Sequence, residues 1–130
     1  MYTHDDYFMQ FKKFLKKDLG FTEKEKKYDK KYFGNFYYIY EFSNILLRII
    51  RDRGQYFIEI SSKKDAGNWY QLETIVPIIN PHYLEPEVGH EETEEKQIEM
   101  YTKILNLFLN DINRLFSNEK YEEIRTILNT

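Results

Sequence analysis

The fold is decided by the stretch Phe36-Tyr37-Tyr38-Ile39-Tyr40-Glu41-Phe42-Ser43-Asn44-Ile45-Leu46-Leu47-Arg48-Ile49-Ile50-Arg51-Asp52-Arg53-Gly54-Gln55-Tyr56-Phe57-Ile58-Glu59-Ile60-Ser61. Three runs, 36–42, 45–52 and 55–61, are rich in aromatic and β-branched residues, and short turn candidates separate them. Such runs read as strands. Their register can be argued. A two-residue loop at Arg53-Gly54, with Gly54 supplying positive φ, sets Asp52 opposite Gln55, Arg48 opposite Glu59 and Leu47 opposite Ile60. A three-residue loop would instead place Arg48 in an apolar face with Leu46, Ile50, Tyr56, Ile58 and Ile60. A lone charge there is costly, so the shorter loop is expected.

The same logic at Ser43-Asn44 aligns Phe42, Tyr40, Tyr38 and Phe36 with Ile45, Leu47 and Ile49. One face of a three-stranded antiparallel meander is then apolar throughout and is expected to be the core side. The opposite face carries Tyr37, Ile39, Glu41, Leu46, Arg48, Ile50, Phe57 and Glu59. Arg48 is placed there to pair with Glu59, with Glu41 as a second candidate partner. The segment 62–83 is the one candidate to cover this second face, through Trp69 and a helix at Thr74–Asn80. The alternative is an open face, and open apolar patches mark interfaces.

Helical spacing flanks the meander. Tyr7, Phe8, Phe11, Phe14, Leu15 and Leu19 predict an amphipathic helix over 5–19, with Gly20 as its C-terminal cap. Residues 22–31 are charged and nearly devoid of apolar side chains, and read as a loop or frayed helical extension. Ile75, Val76 and Ile79 predict a short helix near 74–80, with a strand as the alternative; Pro77 fits a helix only in its first turn. Residues 81–90 hold Pro81, Pro86 and Gly89 and form a connection. Ile98, Tyr101, Leu105, Phe108, Ile112, Leu115 and Phe116 then mark a long helix over 91–117. Asn118 can cap a last helix carrying Tyr121, Ile124, Ile127 and Leu128. The expected architecture is a single α+β domain over 1–130, with the helices on one face of the meander.

The chain has 130 residues, suited to one domain, and no cysteine, which removes disulfides, thiolate metal sites and cysteine nucleophiles. Met1 to Asp6 carries no basic segment leading into an apolar run, so a cytoplasmic location is expected, without membrane association. Aromatic residues make up 18%, with Ala66 the sole alanine. Codon usage in an A+T-rich genome gives that pattern, so position, not abundance, must carry any functional reading.

The net charge of −3 conceals two poles. Residues 12–31 hold nine lysines against Asp18, Glu23, Glu25 and Asp29, whereas residues 84–100 hold seven glutamates against Lys96. In the basic segment, Lys12 to Lys31, Tyr28, Tyr32 and Phe33 could stack on bases beside Lys26, Lys27, Lys30 and Lys31. The interleaved acids and the acidic total weaken the field felt by a polyanion, so a nucleic-acid partner is disfavoured. In the acidic segment, Glu85, Glu87, Glu91, Glu92, Glu94 and Glu95 suit a helix N-terminus and could steer a basic protein partner.

Catalytic patterns are missing from the sequence. His4, His82 and His90 have no ligand spacing, the serines lie outside any nucleophile elbow, and no glycine-rich phosphate loop is present. Neither a metal nor a cofactor is expected, and the chain does not read as an enzyme.

The stretch Leu47 to Ile60, with its Asp52-Arg53-Gly54-Gln55 turn, followed by Trp69-Tyr70-x-Leu72, resembles small bacterial proteins of the immunity type encoded beside polymorphic or contact-dependent toxins. The resemblance covers about a quarter of the chain and brings no catalytic motif. It implies a helix-plus-sheet domain that binds and blocks a toxin domain, often through an acidic surface when the toxin is a basic nuclease. The residues expected to meet a partner are Glu85, Glu87, Glu91, Glu92, Glu94 and Glu95, together with Tyr37, Arg48, Phe57 and Glu59. The second sheet face also offers a contact for self-association. The alternative function is a small nucleic-acid-binding or regulatory module using Lys12 to Lys31.

Overall fold

A computed structural model describes residues 4–29, 35–83, 93–117 and 120–129. The elements are α1 (His4–Lys13), continued by a π-helical turn (Phe14–Asp18), then β1 (Thr22–Asp29), β2 (Asn35–Phe42), β3 (Ile45–Asp52) and β4 (Gln55–Ser62). A 3-10 turn (Lys63–Asp65), β5 (Tyr70–Gln71), α2 (Leu72–Ile79), α3 (Glu94–Leu115) and α4 (Tyr121–Leu128) follow. The class is α+β, as expected, but the antiparallel sheet has five strands in the order β1-β2-β3-β4-β5, not three.

Both hairpin registers agree with the sequence reading. Phe42 stands opposite Ile45 and Tyr38 opposite Ile49; Asp52 stands opposite Gln55 and Arg48 opposite Glu59. Arg53 and Gly54 both take positive φ, 55° and 80°, as a hairpin turn matching the twist of its strands requires. Alternation then does the rest. Ile45, Leu47, Ile49, Ile58 and Ile60 are completely or almost completely buried on one face, under α1, α2 and α3.

The first correction is β1. Residues 22–29 form a strand paired with β2, where the sequence pointed to a loop or a frayed helix. The segment has no apolar alternation because it is an edge, and an edge strand can carry charges on both faces. Backbone pairing and the β2 tyrosines hold it. The Tyr37 hydroxyl donates to Glu25 at 2.9 Å and the Tyr40 hydroxyl to Glu23 at 3.3 Å. A β-bulge at Glu23–Glu25 shifts the register partway along.

The second correction is Pro77. It sits at the sixth residue of α2, beyond the first turn. The missing N–H would have met the Glu73 carbonyl, and because Pro77 is exposed, water can take that place. Leu72, Ile75 and Val76 turn inward from this helix and join the main core, so α2 lies on the core side and not over the second face. Ile127 differs too: it is 53% exposed on α4, while Tyr121 and Ile124 are buried. Asn118 and residues 84–92 lie outside the described residues.

The long helix α3 spans the sheet and grips both ends. At its start Thr93 caps the helix by accepting the Lys96 N–H at 3.2 Å. The Gln97 side chain accepts the Tyr56 N–H at 2.8 Å and donates to the Gly54 carbonyl at 3.4 Å, and the Tyr101 hydroxyl donates to the Tyr56 carbonyl at 3.0 Å. Near its end, Asn113 accepts the Asn44 N–H at 2.9 Å. From Gln97 to Asn113 a helix rises about 24 Å, close to the length of an eight-residue strand.

Candidate functional site: the second sheet face

Three rows of side chains cross the face opposite the helices. Next to the Asp52–Gln55 pair that flanks the Arg53-Gly54 turn, Tyr37, Ile50 and Phe57 stand side by side on β2, β3 and β4. The middle row is Ile39, Arg48, Glu59 and Gln71, the last from β5. The third is Glu41, Leu46 and Ser61. Cross-strand neighbours this close interact, so each row behaves as a unit.

The rows differ in cover. Ser61 is fully buried, and its hydroxyl lies 3.4 Å from the Asp65 carbonyl in the turn that closes that end. In the middle row Arg48 sends Nε to Glu59 Oε1 at 2.8 Å, and its guanidinium lies 4.3 Å from the centre of the Trp69 ring. Carboxylate on one side and indole on the other fix this side chain in one pose. The first row has apolar and aromatic side chains that remain partly exposed. Of the two readings of this face, covered or open, the structure gives a mixture: Trp69 lies on the middle row at Arg48, the 63–65 turn closes the Ser61 end, and Leu72, Ile75 and Val76 of α2 pack into the main core instead.

Charge borders the face. Glu41 lies 3.1 Å from Lys63 Nζ and 3.5 Å from Lys24 Nζ. The Lys63 hydrogen bond, with Lys24 adding its charge, holds the Glu41 carboxyl below the usual carboxylate range. Tyr37 is shifted the other way, its phenol raised chiefly by its hydrogen bond to Glu25.

The expected site residues separate into three groups. Tyr37, Arg48, Phe57 and Glu59 share the second face. Glu94 and Glu95, adjacent in sequence, do different things. Glu94 Oε1 receives Arg51 Nη2 at 2.8 Å and Nε at 3.1 Å, with only 17% of the Glu94 side chain exposed, so Glu94 is engaged inside the fold. Glu95 is exposed and lines a groove of about 630 Å³ between α1 and α3, with Phe11, Phe14 and Ile98. Glu85, Glu87, Glu91 and Glu92 lie outside the described residues.

Part of the basic segment converges on Tyr38. Lys12 Nζ sits 4.5 Å from the Tyr38 ring centre. Its ammonium is shifted down by burial, against the pull of Glu23, with Lys16 and Lys26 adding repulsion. Lys12 on α1 and Lys26 on β1, fourteen positions apart in sequence, thus both flank Tyr38, with Lys26 standing opposite it in the strand register. Lys30 and Lys31, with Tyr32 and Phe33, fall outside the described residues.

Sequence reasoning had Trp69 near this face but missed its stacking on Arg48, and missed Gln97 altogether. A tryptophan following a turn gives no sign of its cation, and a glutamine in a helix gives no sign of a strand edge. Among the described residues no group of three or more His, Asp or Glu side chains is placed to hold a metal ion. No helix among them is long and apolar enough to cross a membrane. Compared with protein-family models, curated proteins and solved structures, the chain finds no match.

Proposed function

We propose that this chain is a non-enzymatic protein-binding module of the immunity type, and that the second sheet face is where it holds its partner. The observation that carries the reading is the immobilised Arg48, held between Glu59 and Trp69 beside the partly exposed row Tyr37, Ile50 and Phe57. A fixed cation beside rigid aromatic and aliphatic side chains is the composition of an interface core, because such groups lose little freedom on binding. The partner this reading names is a toxin domain encoded beside the chain, and Glu95 supplies charge for steering a basic one.

The test is to express that neighbouring domain, measure its affinity for the chain by titration calorimetry, and repeat with Arg48→Glu and Phe57→Glu. Loss of binding in both variants, with folding intact by circular dichroism, supports the reading. Unchanged affinity in both removes the sheet face from it.

A nucleic-acid or regulatory role is the second reading, favoured by Lys12 over the Tyr38 ring and by Lys26 opposite Tyr38 in the strand register. Titration with generic single-stranded RNA at low ionic strength tests it. Binding that weakens steeply with salt supports it, and no binding at low salt rejects it.

A further inference from the structure

The two edges of the sheet are treated differently. On the β4 side, β5 pairs only with Glu59 and Ile60, and further along the Gln97 and Tyr101 side chains occupy the Tyr56 backbone groups that another strand would use. On the other side β1 ends the sheet, and among the described residues no strand lies beyond it. Lys24, Glu25 and Lys26 are exposed there.

An edge strand is a template for another strand, and charged residues normally discourage that pairing. Here the charges run Glu23-Lys24-Glu25-Lys26, a sequence complementary to itself when reversed. We infer that β1 is a homodimer edge, pairing antiparallel with β1 of a second copy about a two-fold axis between Lys24 and Glu25.

Glu23 then stands opposite Lys26 of the second copy and Lys24 opposite its Glu25, and symmetry repeats both pairs. A regular strand could not do this. Directly opposed residues in an antiparallel pair must share a face, and strict alternation puts Lys24 and Glu25 on opposite faces. The bulge removes that obstacle. Glu23 and Lys26 stand opposite Tyr40 and Tyr38 on the core side, whereas Glu25 stands opposite Ile39 on the second face. Lys24 reaches Glu41, also on the second face. The pattern of faces from Glu23 to Lys26 is therefore the same read in either direction, with its centre where the charge pattern has its own. A shift of one residue either way sets core-side positions against second-face positions. Centring the pairing on Lys27 sets that lysine against itself.

The surface needs the same patch on both subunits, as an isologous interface does. The resulting sheet would run continuously through both copies and place two second faces side by side.

Sedimentation velocity over a concentration series tests this on the full chain. The expected result is a reversible monomer–dimer equilibrium. Lys24→Glu or Glu25→Lys alone sets like charges opposite each other twice per dimer and should weaken it about tenfold or more, since each opposed like pair is destabilising. The swap Lys24→Glu with Glu25→Lys restores opposite charges and should restore the dimer. Mixing the two single variants should give a heterodimer stronger than either homodimer. A chain that stays monomeric at every concentration overturns the inference. So does a dimer that ignores the single reversals, and one that Phe57→Glu abolishes would move the contact to the second face.

Discussion

One oxygen of Glu94 receives both Nη2 and Nε of Arg51, at 2.8 and 3.1 Å, joining the first turn of α3 to the far end of β3. The two side chains are only 17% and 12% exposed. A carboxylate that the sequence offers as part of an acidic surface is thereby used to fix a helix on a sheet.

Removing one partner of this pair should be costly. Arg51→Ala or Glu94→Ala should each lose about 2 kcal/mol, since the remaining charge keeps its desolvation cost without its counter-ion. Urea denaturation of both single variants and the double variant gives the coupling directly. A coupling energy near zero would show that the pair is incidental to stability.

Gln97 is 1% exposed, and its amide meets the Tyr56 N–H and the Gly54 carbonyl. Gln97→Leu keeps the bulk but strands both backbone groups, so a loss of about 1–3 kcal/mol is expected. Hydrogen exchange at the Tyr56 amide should accelerate in the variant. An unchanged rate there would mean that the side chain does not protect this edge.

The Arg48–Trp69 contact should matter little for stability and much for binding. Arg48→Ala should cost no more than about 1 kcal/mol, the scale of a partly exposed cation–π contact and ion pair. Trp69 is the sole tryptophan, so its fluorescence reports on this face without ambiguity. Emission should shift in Arg48→Ala and on partner binding. Identical spectra in all three states would place Trp69 away from the events proposed for the face.

Stability should fall at both ends of the pH range, and the Asp65–Tyr121 contact should contribute at each. The Asp65 carboxyl is held below its ordinary value of 3.8, first by the Tyr121 hydroxyl and then by Asn68. A depressed carboxyl contributes stability above its ordinary value, and that contribution is lost as pH falls through the folded-state value. The Tyr121 phenol is raised above 10.0 by burial and by Asp65, and Tyr40 is raised by burial and Glu23. Raised phenols stabilise the fold fully below pH 10.0 and lose that contribution as pH climbs past it. Tyr121→Phe should therefore flatten the stability profile at both extremes. A variant that retains both wild-type slopes would dissociate this hydrogen bond, 2.6 Å long, from the pH response.

The hairpins were legible because two independent constraints agreed on them: turn chemistry at Arg53-Gly54 and the cost of turning Arg48 into the core. β1 was not, because Thr22 to Asp29 takes its conformation from β2 and has no period of its own. The division of labour between Glu94 and Glu95 was also hidden. Helix periodicity orders residues around an axis, but which neighbour receives Glu94 depends on where β3 ends, and that is a property of the assembled sheet. Arg48 and Glu59 were placed together by register alone, while Trp69 required the path of the chain after β4.

The amide of Gln97 comes 41 residues after the strand it shields. At about 5–20 residues per second, a ribosome takes roughly two to eight seconds to cover that distance. During that interval Gln55 to Ile60, the segment Gln-Tyr-Phe-Ile-Glu-Ile, exists as newly made chain with a bare strand edge. Its β-branched and aromatic content makes it sticky toward other nascent chains. The hazard in this protein is thus a matter of timing, present early in synthesis and removed when α3 arrives. Slow codons between the two segments would lengthen it, and a chaperone that binds extended apolar peptides would find its target there.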